Sequence, residues 1–126
     1  MTEDEISRVV VDSAVEVHRT LGGPGLLESI YEQALAVELE IRGIPVARQR
    51  VTPVFYKGRR LDTDLRLDLV VGELVIVECK ATTALHPVFK AQLLTQLRVT
   101  GLNLGLLINF GGQLVKDGTC RVVNGL

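Results

Sequence analysis

The chain has 126 residues, enough for one domain with its own core, and 47% of them are hydrophobic. Its formal net charge is −1, which does not favour a general nucleic-acid binder, because such proteins are usually strongly basic. No apolar run is long enough to cross a bilayer, and the acidic start of the chain is unlike a signal peptide, so we expect a soluble cytoplasmic protein with a single domain over residues 1–126.

The two halves of the chain differ in charge. Residues 1–44 hold nine acidic side chains and three arginines, whereas residues 48–98 hold nine basic and five acidic side chains. One interpretation is a positive face on the second half, and the other is scattered surface charge of both signs. Cys79 and Cys120 lack metal-ligand spacing, and we expect both to be reduced.

Two helices are predicted at the start of the chain. Thr2 and Glu5 have the spacing of a capping box, and apolar residues then recur at helical intervals as far as Leu21. This pattern stops at the Gly-Gly-Pro-Gly segment, residues 22–25. A second helix follows from Leu27 and ends at residues 42–43, where Arg-Gly precedes a proline.

A sheet is predicted in the middle of the chain. Residues 46–80 alternate in polarity and break at Lys57-Gly58 and Gly72-Glu73, which indicates three or more antiparallel strands. Pro87 suits the first turn of a third helix that ends before Gly101. Residues 104–110 then read as a buried strand, and residues 116–118 as the turn of a short hairpin.

Charged residues interrupt two of the apolar strands. Asp68 lies inside one run, and Glu78 and Lys80 end the next. Burying such groups costs free energy unless they are paired, coordinated or functional. Glu78 and Lys80 point to the same face, because side chains alternate along a strand.

Whether Asp68 joins that face depends on strand register. A two-residue loop at Gly72-Glu73 would pair Asp68 with Val77 and leave Glu78 on the opposite face. The site therefore requires either a loop with an odd number of residues, which pairs Asp68 with Glu78, or a β-bulge near Asp68.

Two adjacent carboxylates repel each other unless a cation neutralises them. Mg²⁺, or Mn²⁺ as a substitute, suits Asp68 and Glu78, since it takes carboxylate oxygens and keeps places for water and phosphate. Lys80 would then position the water or stabilise charge in phosphodiester hydrolysis. The alternative is structural: two acids at strand ends with Lys80 in an ion pair, because such a short pattern also arises by chance.

The segment Gly25-Leu26-Leu27-Glu28-Ser29-Ile30-Tyr31 carries a G-x-x-E-x-x-Y signature. It resembles the GxxExxY protein family, a branch of the PD-(D/E)XK nuclease superfamily. Similarity covers nearly the whole chain, through residues 66–70, 77–81, 91–94, 100–101, 106–110 and 122–126. The resemblance implies an α/β, restriction-endonuclease-like fold, in which helices flank a central mixed sheet and an extra helix lies at the N-terminus.

The resemblance also implies roles for individual residues. Asp68, Glu78 and Lys80 match the catalytic positions, and Glu28 matches an acid contributed by the helix before the sheet. Gln92 matches a residue that orients the water or the phosphate. The chain departs from the family at Phe89 and Gln96, where His and Tyr are expected, and at Cys79, where Leu is commoner.

Glu28 and Tyr31 lie three apart on one helical face, so both can address the same spot. Glu28 would complete the metal's shell or bind a metal-bound water; the alternative is a solvated helix acid like Glu32 or Glu38. We expect Tyr31 to pack its ring and to hydrogen-bond the site through its hydroxyl. His86, beside Pro87, is expected at a helix start rather than on a metal.

Three functions are compatible with these residues. The first is a metal-dependent nuclease acting on DNA or RNA. The second is an inactive nuclease-fold domain that binds nucleic acid or a protein, and the third is a metal-binding protein without hydrolytic activity that does not depend on Lys80. A small neutral domain offers little surface for gripping a duplex, so activity would need a homodimer or a protein partner.

Overall fold

The computed structural model describes residues 1–125, and Leu126 at the end of the predicted domain lies outside them. The helices are α1 (Glu3–Thr20), α2 (Glu28–Ile41) and α3 (Val88–Thr100). The strands are β1 (Val46–Thr52), β2 (Phe55–Tyr56), β3 (Arg59–Arg60), β4 (Leu65–Val71), β5 (Val75–Lys80), β6 (Leu104–Asn109) and β7 (Thr119–Val123).

Five of the strands form one mixed sheet in the order β1-β4-β5-β6-β7. β5 and β6 run parallel, and α3 makes the crossover between them, whereas the other neighbours are antiparallel. β2 and β3 form a separate hairpin. The result confirms the predicted α/β fold, with helices on both faces of a central mixed sheet and an additional helix at the N-terminus.

Each face of the sheet has its own hydrophobic core. The α1/α2 core contains the buried faces of α1 and α2 together with Leu69, Val77 and Cys79. The α3 core contains Leu93 and Leu97 packed on residues from the opposite face of the sheet. In the described part of the chain, no helix is long and apolar enough to cross a membrane.

Local signals predicted the helix ends well. Thr2 and Glu5 form both hydrogen bonds of a capping box, and Gly101 ends α3 with a left-handed φ of 75°.

The predicted hairpin at residues 116–118 is wrong. Those residues form a 3₁₀ turn, and β7 pairs with β6 instead, because the fully buried β6 needs a strand on its second edge.

A buried carboxylate ties α2 to β1. Glu32 accepts hydrogen bonds from Arg48 at 3.0 and 3.1 Å and from Gln49 at 2.8 and 3.0 Å. Consecutive strand residues normally face opposite sides of a sheet. Here Gln49 takes a left-handed φ of 50°, and so both side chains reach the same carboxylate on the α2 side.

The β1–β4 register sets Gln49 opposite Asp68 on the neighbouring strand. Arg48 pairs with Leu69 and Arg50 with Leu67, but no ladder pair forms between Gln49 and Asp68. The register is unchanged on either side, so no residue is inserted and this is not a bulge. Leu67 nevertheless belongs to the α3 core and Leu69 to the α1/α2 core. Asp68 therefore marks the point at which the normal alternation of β4 is interrupted.

The Glu32 interaction predicts an effect on stability. Glu32→Ala should lower the free energy of unfolding by about 2 kcal/mol, because it leaves Arg48 and Gln49 without their buried acceptor. Glu38→Ala is the matched control on the same helix. It removes an i,i+4 pair with Arg42, and should cost about 0.5 kcal/mol. Urea unfolding measures both, and equal losses would contradict a special role for Glu32.

Candidate functional site

Asp68 and Glu78 are brought together by the loop that joins β4 to β5. The register pairs Leu69 with Val77, Val70 with Ile76 and Val71 with Val75. The loop is therefore residues 72–74, an odd number. The same register, extended by one position beyond the last ladder pair, would set Asp68 opposite Glu78. An odd loop is one of the two arrangements that the sequence predicted could bring these carboxylates together; the other was a β-bulge near Asp68.

The Asp68 carboxylate lies between the two strands. Its Oδ2 accepts a hydrogen bond at 3.1 Å from the backbone N–H of Cys79. The β4–β5 ladder ends at Leu69 and Val77. The Asp68 side chain therefore accepts from an N–H group that would bond to a backbone carbonyl if the ladder continued. This contact orients the carboxylate beside Glu78.

Glu78 is a partly buried acid with an unsatisfied oxygen. Its Oε1 is buried and has no hydrogen-bond partner among residues 1–125. Burial raises the pKa of Glu78 to about 8, and the neighbouring Asp68 carboxylate adds to the rise. Two adjacent carboxylates with a buried oxygen that lacks a donor form a set of ligands that fits a divalent cation.

Lys80 ends β5 next to these acids. Its Nζ lies 4.4 Å from the centre of the Phe89 ring on α3, a distance at which the ring attracts the ammonium. Its backbone carbonyl accepts a hydrogen bond at 2.8 Å from the N–H of Phe110. Phe89 therefore contacts the candidate catalytic lysine directly.

Glu28, in the first turn of α2, is exposed but electrostatically linked to the site. Partial burial raises the pKa of Glu28; Lys80 and the Ala81 backbone N–H oppose the rise, while Asp68 and Glu32 add to it. Within residues 1–125 no three His, Cys, Asp or Glu side chains form a group able to hold a metal ion alone. Direct coordination by Glu28 thus stays a prediction.

Tyr31 is wholly buried and stacks on Phe110, with ring centres 4.8 Å apart. Its ring packing agrees with the prediction, but its hydroxyl does not bond the site. The hydroxyl donates to the carbonyl of Gly23 at 2.7 Å and accepts from the N–H of Leu26 at 3.1 Å. Tyr31 therefore fixes the glycine-rich loop from which α2 and Glu28 begin.

Two further predictions concern α3. Gln92 is exposed, and no hydrogen bond within the described chain joins it to Asp68, Glu78 or Lys80; it lines a groove with Val54 and Leu65 instead. Its assigned role stays a prediction. His86 is exposed, and its Nδ1 accepts from the N–H of Val88 at the start of α3, as expected for a helix-start residue.

Sequence reasoning missed Asn109, a buried residue opposite Lys80 in the parallel register of β5 and β6. Its carboxamide accepts from the N–H groups of Thr82 and Gly111 and donates to the carbonyl of Thr82, each at 3.0 Å. Asn109 therefore fixes the backbone that follows Lys80. The available signal was a polar residue at the end of an otherwise apolar run.

The prediction that Glu32 is a solvated helix acid like Glu38 is wrong. Glu32 is buried and is fully hydrogen-bonded to β1. Helical spacing alone does not distinguish these two acids, since the partners of Glu32 lie on a strand far along the sequence.

The raised pKa of Glu78 predicts how stability depends on pH in metal-free protein. The folded state keeps a proton that the unfolded state loses near the ordinary value of 4.5. The free energy of unfolding should therefore fall as pH rises from 4.5 to about 8, by about 1 kcal/mol per pH unit. Glu78→Gln should remove most of this slope, and Glu40→Gln, on the exposed side of α2, should not. An unchanged slope in Glu78→Gln would contradict the assignment.

Residues 4–122 match the family model described as the PD-(D/E)XK nuclease superfamily. No curated protein and no solved structure matches the chain. The match spans α1 to β7 and includes Asp68, Glu78 and Lys80 on adjacent strands of a mixed sheet. The chain belongs to the PD-(D/E)XK nuclease superfamily.

Proposed function

We propose that the protein is a metal-dependent nuclease of the GxxExxY branch that hydrolyses phosphodiester bonds in DNA or RNA. The observation that carries this proposal is the buried Oε1 of Glu78, which has no donor among the described residues and lies beside the Asp68 carboxylate. A buried acid with only a structural role would be satisfied by donors, as Glu32 is.

Asp68 and Glu78 would hold the cation, and the ligand chemistry favours Mg²⁺, with Mn²⁺ as a substitute. When bound, the metal supplies Lewis-acid polarisation of the phosphate and lowers the pKa of a coordinated water. Glu28 is placed near Asp68 and Lys80, and its exposed carboxylate is suited to accept a hydrogen bond from such a water.

Lys80 supplies positive charge where the phosphate would bind. Phe89 holds its ammonium group at one side of the site, so the charge is in place before substrate arrives. Gln92 lies three residues after Phe89 and therefore on a neighbouring part of the same helical face. We assign Gln92 to orienting the phosphate or the water. Asn109 is a positioning residue that keeps the backbone after Lys80 in place.

The nuclease proposal is tested by incubating the purified protein and labelled DNA or RNA with Mg²⁺ or Mn²⁺. Asp68→Ala and Lys80→Ala should each reduce cleavage by about 100-fold or more, because each removes a group that acts on the reacting phosphate. Asp12→Ala and Lys116→Ala, which change exposed residues of the same types, should leave cleavage unchanged. Full cleavage in both site variants would reject this site.

Calorimetry separates the alternatives. Glu78→Ala should lose affinity for Mn²⁺ and Lys80→Ala should retain it, since only the carboxylate is a ligand. Metal affinity without cleavage of any nucleic acid would support a metal-binding protein over a nuclease. A protein with neither metal affinity nor cleavage would support an interaction domain.

We further propose that a homodimer, one of the two kinds of partner expected from the sequence, forms through an exposed apolar stripe along α2. The stripe is made of Leu27, just before the helix, and of Ile30, Val37 and Ile41. The stripe lies opposite the core-facing side of α2, and Leu27 and Ile41 are each 73% exposed. Its spacings of three, seven and four residues keep these side chains on one seam. A second copy could cover that seam by packing α2 against α2.

Light scattering tests the dimer. The native chain should be a dimer, and Val37→Glu with Ile41→Glu should yield a folded monomer, because buried carboxylates would oppose packing. Val51→Glu, at an exposed valine on the edge strand β1, is the control and should stay dimeric. A monomeric native chain at all concentrations would refute this interface.

A further inference from the structure

The hairpin of β2 and β3 is an exposed arm. Lys57 and Gly58 form its turn with left-handed φ values of 49° and 78°, the conformation of a type I′ turn. All residues from 55 to 60 are exposed, and Phe55 and Tyr56 are 61% and 63% exposed. A two-stranded hairpin with two solvated aromatic rings gains little stability from them. The Phe55 ring is therefore available to a ligand, and a ligand that stacks on Tyr56 shares that ring with the Lys57 ammonium, which lies 5.5 Å from its centre.

The arm extends from the end of the sheet at which the candidate site lies. The β1–β4 ladder ends where Thr52 pairs with Leu65, and the hairpin is the chain between these two residues. Because β4 and β5 are antiparallel, the start of β4 and the end of β5 lie at the same end of the sheet. The hairpin base and Lys80 are therefore both at that end.

A groove separates the hairpin base from α3. It has a volume of about 420 Å³ and is lined by Val54 and Leu65 from the base and by Ala91, Gln92, Gln96 and Val99 from the helix. Its walls are mostly apolar, but the Gln96 Oε1 is buried without a hydrogen-bond partner in the described chain. A flat apolar ligand fits these walls, whereas the Gln96 side chain would have to turn toward the groove to expose that oxygen.

The arm and the residues between it and Arg66 hold four basic side chains and two acidic ones, Asp62 and Asp64. Lys57, Arg59 and Arg66 form no ion pair within the described part of the chain, whereas Arg60 pairs with Asp64 at 3.3 Å. Three free cations can contact a few phosphates, but a chain of net charge −1 lacks the broad positive surface that duplex binding usually requires. Exposed aromatic rings bind bases only where the bases are unpaired.

We infer that the β2–β3 hairpin and the groove beside α3 bind single-stranded nucleic acid. Phe55 and Tyr56 alternate across the hairpin, so a base stacks on each ring from a different face. Lys57 and Arg59 contact phosphates, and one base enters the groove. The strand then continues along the sheet edge to Lys80. As a substrate preference this inference rests on the proposed nuclease function, whereas the binding itself does not.

Fluorescence anisotropy in EDTA tests the binding without cleavage. The probes are labelled DNA and RNA single strands of about 12 nucleotides and a DNA duplex of the same length. The native chain should bind single strands at least about 10-fold more tightly than the duplex. Comparing the DNA and RNA strands shows which sugar is preferred. Equal or tighter binding of the duplex would overturn the inference.

Variants locate the binding surface. Phe55→Ala with Tyr56→Ala should weaken single-strand binding by about 10-fold or more, because two stacking platforms are lost. Tyr56→Phe alone should retain binding, since the ring remains. Ala91→Trp should weaken binding by filling the groove. Leu114→Ala is the control, because Leu114 is an equally exposed apolar residue at 63% and lies outside the arm. Unchanged binding in the double variant would overturn the inference.

Cleavage assays distinguish this inference from the proposed function. Lys80→Ala should fail to cut single strands, and the binding that it retains should still depend on Phe55 and Tyr56. The inference would be refuted, and the nuclease function supported, if the protein cut only duplex and the double variant Phe55→Ala with Tyr56→Ala cut it equally well. Hairpin-dependent binding of single strands with no cleavage in Mg²⁺ or Mn²⁺ would keep the binding surface and refute the nuclease.

Discussion

The hydrogen bond from the Cys79 N–H to the Asp68 carboxylate is the contact on which the candidate site depends. It forms where the ladder between β4 and β5 stops, and it places a side-chain oxygen where backbone pairing would otherwise continue. On the other side of β4 the ladder to β1 is also interrupted, at Gln49. Asp68 thus lies at a position released from pairing on both sides, and its carboxylate is free to face Glu78.

Two partly or fully buried glutamates show how differently this fold treats an acid. Glu32 accepts hydrogen bonds from Arg48 and Gln49, so its burial is compensated and it joins helix to sheet. Glu78 has one oxygen without a donor in the described chain and a pKa raised by burial and by Asp68. The first acid stabilises the fold. The second needs a nearby positive charge before its ionised form is stable at this position.

The remaining parts of the site are held from both faces of the sheet. Tyr31 fixes the loop before α2 and so sets the position of Glu28. From the opposite face, Phe89 on α3 holds the Lys80 ammonium, and Asn109 fixes the backbone after it. The Lys80 side chain is thus held by an aromatic ring and the backbone that follows it by a carboxamide.

Sequence alone determined the helix ends, the order of elements as far as β6 and the charged residues Glu78 and Lys80 on the strand beside Asp68, because capping boxes, glycine stops and charges within apolar runs are local signals. The G-x-x-E-x-x-Y signature added the expected fold class through resemblance. Only the tertiary structure decided the length of the β4–β5 loop, the interruption at Gln49 and the partners of Glu32, Tyr31 and Asn109. These depend on residues distant in sequence, and a single-residue change of register would move every side chain to the other face.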